Sequence, residues 1–165
     1  MKYKIERPKL ITKLNRDFFA RPSLVIAKFL LGRTVISQIT GRDIRIARIK
    51  EVAAWRGEEE SSARTLRYAP GLVGISRKFG KDLIDIGTGG QRNASCVTLI
   101  ALDSPEGIIQ GPGKTSEYLG ITDLFDTAPI DDPYFWIGGE PVNPEEVIQR
   151  SKAVPGNCEG YFYYR

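Results

Sequence analysis

The chain contains no histidine among its 165 residues. That absence removes the Ser-His-Asp and Cys-His devices and every metal site that needs an imidazole. Proton transfer near neutral pH must therefore fall to carboxylates, lysine, tyrosine or cysteine. Cysteine is scarce as well. Cys96 and Cys158 are the only two; they lack a CxxC spacing and are too few for a disulfide framework. They read as buried or incidental residues. No apolar run approaches the roughly 18 residues of a membrane span. The basic start, Met1-Lys2-Tyr3-Lys4-Ile5-Glu6-Arg7, is followed by no apolar segment of the secretory kind. The expectation is a protein of the cytoplasm (nucleoid) or of a nucleus, not secreted and without a membrane partner. Repeats, low-complexity tracts and linkers are also missing, so residues 1–165 read as a single domain with one core.

The formal net charge of +4 is a mild excess. It permits an anionic partner such as nucleic acid without requiring one. Periodicity gives a coarse architecture. Asp17-Phe18-Phe19 reads as a helical turn, and a helix follows with Ser23 as N-cap and Gly32 as its stop. Thr34 to Ile39 is strand-like, Thr40 to Asp43 a turn, and Ile44 to Trp55 a half-buried strand. Glu58 to Tyr68 is polar and irregular, with Pro70, Gly71 and Gly74 beyond it, and reads as a long surface segment. Leu83 to Ile86 and Ser95 to Leu102 are strands joined by a loop from Gly87 to Asn93. Thr115 to Leu119 is a short helix ended by Gly120, and Asn143-Pro144-Glu145-Glu146 is a helix start. Tyr161 to Tyr164 is a closing strand. Helices flanking a central mixed or antiparallel sheet make an α+β domain.

Gly111-Pro112-Gly113-Lys114-Thr115 invites a phosphate-loop reading and fails it. GxxxxGK[ST] would require glycine at Ile108; Gly107 is one residue too far. Pro112 also removes an N–H from the would-be phosphate nest.

A different reading comes from several segments taken in order. These are Leu14-Asn15-Arg16-Asp17-Phe18-Phe19 leading to Ala27–Arg33, then Arg48 to Gly57, Phe79-Gly80, and Cys96 to Leu102. Gly111-Pro112-Gly113-Lys114 with Leu119-Gly120-Ile121, and Gly160-Tyr161-Phe162-Tyr163, complete the set. Together they resemble the methylpurine (3-methyladenine) DNA glycosylases, from Leu14 to Tyr164, with shortened loops. The resemblance implies a DNA repair enzyme of base excision, acting as a monomer on double-stranded DNA without metal or cofactor. Such an enzyme flips a damaged purine out of the duplex and hydrolyses its N-glycosidic bond.

The resemblance also implies a diverged member. The family's strand reads Glu-Thr-Glu-Ala-Tyr, where the second Glu activates water and the Tyr stacks on the base. This chain has Glu51-Val52-Ala53-Ala54-Trp55 in that register. Trp55 can replace the stacking Tyr, since any π-face serves; Ala53 cannot activate water. In the same register the family's histidine corresponds to Arg64 and its later arginine to Ile100. Counted without gaps from Gly80, its second stacking Tyr corresponds to Asp85, and its intercalating Tyr to Thr88.

Two acids are candidates for the missing base. Glu51 lies two residues before Ala53 on the same strand face, roughly 7 Å away; its competing reading is a solvated or salt-bridged strand residue. Asp85 is flanked by Leu83, Ile84 and Ile86, where a carboxylate is costly unless paired. It is either a pocket-facing replacement base or an Asp bonded to the glycine loop that follows. Trp55, Ala53 and Ser95 are the expected base-binding set. Arg64, Thr88, Arg92, Asn93 and Lys114 are the expected DNA contacts, with Arg92 and Asn93 on a glycine-rich loop that allows close backbone approach. Glu58-Glu59-Glu60 reads as a solvated acidic turn that would repel phosphate. A catalytically silent damaged-DNA-binding module of the same fold is the alternative, because Ala53, Arg64 and Ile100 replace the family's catalytic set.

Overall fold

A computed structural model describes residues 12–39, 41, 43–57, 68–78, 80–89, 94–151 and 158–165. Among them a curled antiparallel sheet carries two helices, the α+β architecture expected. The strands are β1 (Thr34–Ser37), β2 (Arg45–Gly57), β3 (Val73–Lys78), β4 (Lys81–Thr88), β5 (Ala94–Ser104), β6 (Gly107–Gln110), β7 (Phe135–Gly138), β8 (Ile148–Gln149) and β9 (Cys158–Tyr163). The helices are α1 (Ser23–Leu30) and α2 (Pro112–Leu119).

The sheet is organised around β2, which at 13 residues is its longest strand. One edge of β2 pairs with β5, while the other takes β1 near its start and β9 near its end. Register shifts between Ile49 and Val52 bend β2 where those partners change over. The order β3-β4-β5-β2-β1-β7 runs across the sheet, with β6 on β5 and β8 on β9. Every pairing is antiparallel. Side chains therefore alternate between two faces. Ile49, Val52 and Ala54 of β2, Ile84 and Ile86 of β4, and Val97 and Leu99 of β5 join the core with Phe19, Ile26 and Leu30. Ala53 and Thr98 lie on the opposite face.

Helix α1 starts one residue earlier than its sequence suggests. Pro22 occupies the cap position without a side-chain bond, and buried Ser23 instead donates from Oγ to Glu159 Oε1 at 3.3 Å. Gly120 ends α2 in the left-handed conformation, as expected. Strand β3 was hidden by Gly74 and the neighbouring polar stretch, and β6, β7 and β8 are too short for a periodic signal. Gly87 and Thr88, expected in a loop, extend β4. The backbone of the preceding segment crosses so closely that a Cβ on Gly87 would lie 2.4 Å from the Ala69 carbonyl oxygen. Glycine stands in that strand because of the close approach, not because of a turn. Asn143 and Glu146 do form their reciprocal cap, with the Asn143 N–H donating to Glu146 Oε2 at 2.9 Å. The turn stops at Glu146, however, because Ile148–Gln149 pairs with β9.

Candidate functional site

Direct cross-strand partners on an antiparallel sheet point their side chains to the same side. Gly74 of β3, Asp85 of β4, Thr98 of β5, Ala53 of β2 and Tyr161 of β9 are such partners in turn. They form one row across five strands, on the face turned away from the core. Ala53 is fully buried, and Asp85 and Thr98 are each 4% exposed. The Thr98 hydroxyl donates to the Asp85 carboxylate in a short hydrogen bond. Asp85 and Ala53 are thus two strand spacings apart, about 10 Å between backbones, with Thr98 between them.

One step along β2 toward its start lies Glu51, and one step the other way lies Trp55. Glu51 is 2% exposed. Its Oε1 accepts from Arg150 Nε at 2.5 Å, and its Oε2 accepts from Arg150 Nη2 at 3.0 Å and Gln110 Nε2 at 3.1 Å. This is a bidentate, hydrogen-bonded ion pair. The Arg150 pKa is raised, first by its hydrogen bond to Glu51. The Tyr161 hydroxyl is also held above its ordinary pKa, chiefly by burial and then by Cys158 and Glu51. It stays an O–H at neutral pH.

Trp55 is half-buried. Its strand partners are Cys96 of β5 and Cys158 of β9, both buried. Its indole Nε1 is buried and has no hydrogen-bond partner among the described residues. The Lys78 ammonium, from β3, lies 5.4 Å from the centroid of the ring.

The structure thus brings Asp85, Ala53, Glu51 and Trp55 onto one face. Ser95 and Thr88, the expected base contact and DNA contact, lie on the other: they share the side of Val97 and Ile86, are 3% and 1% exposed, and bond to each other at 2.7 Å. Burial against the core keeps both hydroxyls away from solvent. Lys114 is exposed in the first turn of α2. Gly113 beside it allows the helix to approach β4, since a Cβ there would meet that of Lys81 at 2.9 Å. Arg64, Arg92 and Asn93 lie outside the described residues, as do Glu58–Glu60 and Phe79. Among the contributors that escaped the sequence reading are Thr98, Arg150 and Lys78. Thr98 left a usable signal, being a polar residue in the apolar run Cys96–Leu102 just as Asp85 is in its own strand. The other two meet the site through contacts distant in sequence.

An α+β domain with a carboxylate-bearing row on the outer face of its sheet is therefore the class of molecule that fold and site define. No family model matches the chain. A protein of Gloeobacter violaceus named "Putative 3-methyladenine DNA glycosylase" is 25% identical, over 84% of this chain and 75% of its own length. One of Streptomyces avermitilis with the same name is 28% identical, over 82% and 78%. The human DNA-3-methyladenine glycosylase is 26% identical over 82% of this chain, which spans 57% of the human protein. Over most of its length the chain is thus similar to proteins named as 3-methyladenine DNA glycosylases. No helix among the described residues is long and apolar enough to cross a membrane.

Proposed function

We propose that this chain, as a monomer and without metal or cofactor, binds damaged duplex DNA, takes a flipped purine against Trp55 and hydrolyses its N-glycosidic bond. Lys114, Arg64, Arg92 and Asn93 would contact the DNA. Asp85 is the general base. The observation that carries this reading is the row itself: with alanine at position 53, the carboxylate of Asp85 stands on the same row, held by Thr98. Thr98 fixes the carboxylate's direction, and Asp85 would take a proton from water as the water bonds to C1′. A hydrogen-bonded, oriented carboxylate is what such a step needs. Glu51 is committed to Arg150 and Gln110, which supports a structural role for it. Trp55 supplies a π-face for the base.

A second reading is the silent damaged-DNA-binding module, and Ala53 is the observation that favours it. Single-turnover base release separates the two, on duplexes carrying 3-methyladenine, 7-methylguanine or hypoxanthine. Release that falls about 10²–10⁴-fold in Asp85→Asn supports Asp85 as the base. Release that survives the substitution removes Asp85 from that role. No release at all, with lesion binding intact, establishes the module.

A further inference from the structure

Lys78 stands between solvent and the ring that the proposed function assigns to the flipped base. We infer that Lys78 is a specificity residue: its ammonium shields Trp55 until a backbone phosphate draws it away. Free purines and nucleosides are turned away, and bases that belong to a phosphodiester chain are admitted. This inference rests on Trp55 being the stacking surface, and it concerns what reaches that surface, whichever purine is cleaved there.

The Lys78 ammonium lies 5.4 Å from the centroid of the Trp55 ring, within the range of a cation–π contact. The neighbouring cation of that hairpin is answered by a carboxylate: Lys81, the cross-strand partner of Lys78, is ion-paired with Glu117. Among the described residues Lys78 has no such pair, and leans on the indole instead. Trp55 is half-buried, with its Nε1 edge turned inward, and Lys78 is exposed. The ammonium therefore comes to the ring from the solvent side, by which a base must also come.

A base cannot stack where the ammonium lies, so stacking has to displace the cation–π contact. At an exposed site that contact is weak, and its loss costs a bare nucleoside a few-fold in affinity. A nucleotide within a strand brings phosphate on both sides of its sugar. Phosphate holds an ammonium more tightly than an aromatic face does, because it carries full negative charge. Lys78 then trades the ring for the phosphate, and the face opens as the strand arrives. The exchange also runs in reverse. A base that has left its strand has no phosphate of its own, and the returning ammonium competes with it for the ring.

In a Trp136→Phe background the only tryptophan is Trp55, and its fluorescence quenching reports occupancy of the ring. The probes are 2′-deoxyinosine and 2′-deoxyinosine 3′,5′-bisphosphate, which share a base and differ in phosphate. We expect the bisphosphate to bind about tenfold more tightly, the scale of one charge-assisted contact. Lys78→Met should tighten the nucleoside by about two- to fivefold and weaken the bisphosphate, bringing the two together. Lys78→Arg keeps the charge and should keep the wild-type order. On a single-stranded oligonucleotide, the slope of log affinity against log salt should become shallower by about 0.7 in Lys78→Met, one phosphate contact. Lys78 is exposed, so neither change threatens the fold. A nucleoside that binds Lys78→Met no more tightly than wild type overturns the inference. So does a bisphosphate advantage or a salt slope that the substitution leaves unchanged. Any of these results, with quenching still seen, leaves Trp55 as the stacking surface. Quenching by neither probe in any variant removes that surface, and the inference with it.

Discussion

Two carboxylates share the outer face of the sheet, and they are buried in different company. Glu51 meets a guanidinium in a bidentate pair and a carboxamide as well. Asp85 accepts from the hydroxyl of Thr98. Both are almost wholly out of solvent. The bidentate guanidinium matches the charge of the Glu51 carboxylate, as in structural ion pairs. The Thr98 hydroxyl fixes the direction of one Asp85 oxygen. Position relative to Ala53 is therefore not enough to pick a candidate base: Glu51 is closer along the chain, yet its oxygens are bound up in holding β2, β6 and the segment after β8 together.

The largest expected effect tests the structural half of the comparison. Arg150→Met leaves the Glu51 carboxylate buried without its counter-ion, and should cost about 3–5 kcal/mol in urea unfolding. A loss below about 1 kcal/mol would mean that the ion pair is incidental and that Glu51 can serve chemistry. Thr98→Val tests the other half. It removes the hydroxyl that orients Asp85, and the lost bond should cost about 1–3 kcal/mol in the same unfolding assay. Base release should fall with it if Asp85 is the base; unchanged release would detach Asp85 from the reaction. Trp55→Ala should weaken lesion-duplex affinity by about 1–3 kcal/mol, the scale of one base–aromatic stack. Unaltered affinity in equilibrium titration would take Trp55, and the whole face with it, out of recognition. The smallest effect belongs to a control. Lys81 and Glu117 are ion-paired on the surface, each side chain more than half exposed, so Glu117→Gln should shift stability by less than about 1 kcal/mol. A larger loss would show that exposure is a poor guide to which ion pairs matter in this molecule.

Much of the site was legible because it broke a pattern. Asp85 interrupts an apolar strand, and the structure finds it buried. Glu51, read in part as a salt-bridged strand residue, is one. Trp55 follows Ala53 by two on an alternating strand and so shares its face. What was not legible depended on pairing across the chain. Arg150 reaches Glu51 over a separation of 99 residues, and no local signal announces such a partner. Thr88, counted without gaps from Gly80, and Ser95 were both expected at the site. A one-residue change of register turns a side chain to the other face, and the β4–β5 pairing puts both on the core side.

Local chemistry alone determined the start of β2, the stop signals Gly32 and Gly120, the α+β class, and the exclusion of histidine-based catalysis. These follow from propensity, alternation and the residue inventory, all local properties. Tertiary structure decided that Gly87 belongs to a strand, that Asn143 opens a single turn instead of a helix, that Arg150 pairs with Glu51, and that Lys78 lies over Trp55. Each of those outcomes depends on which distant segment comes within a few ångströms, and only the folded sheet sets that distance.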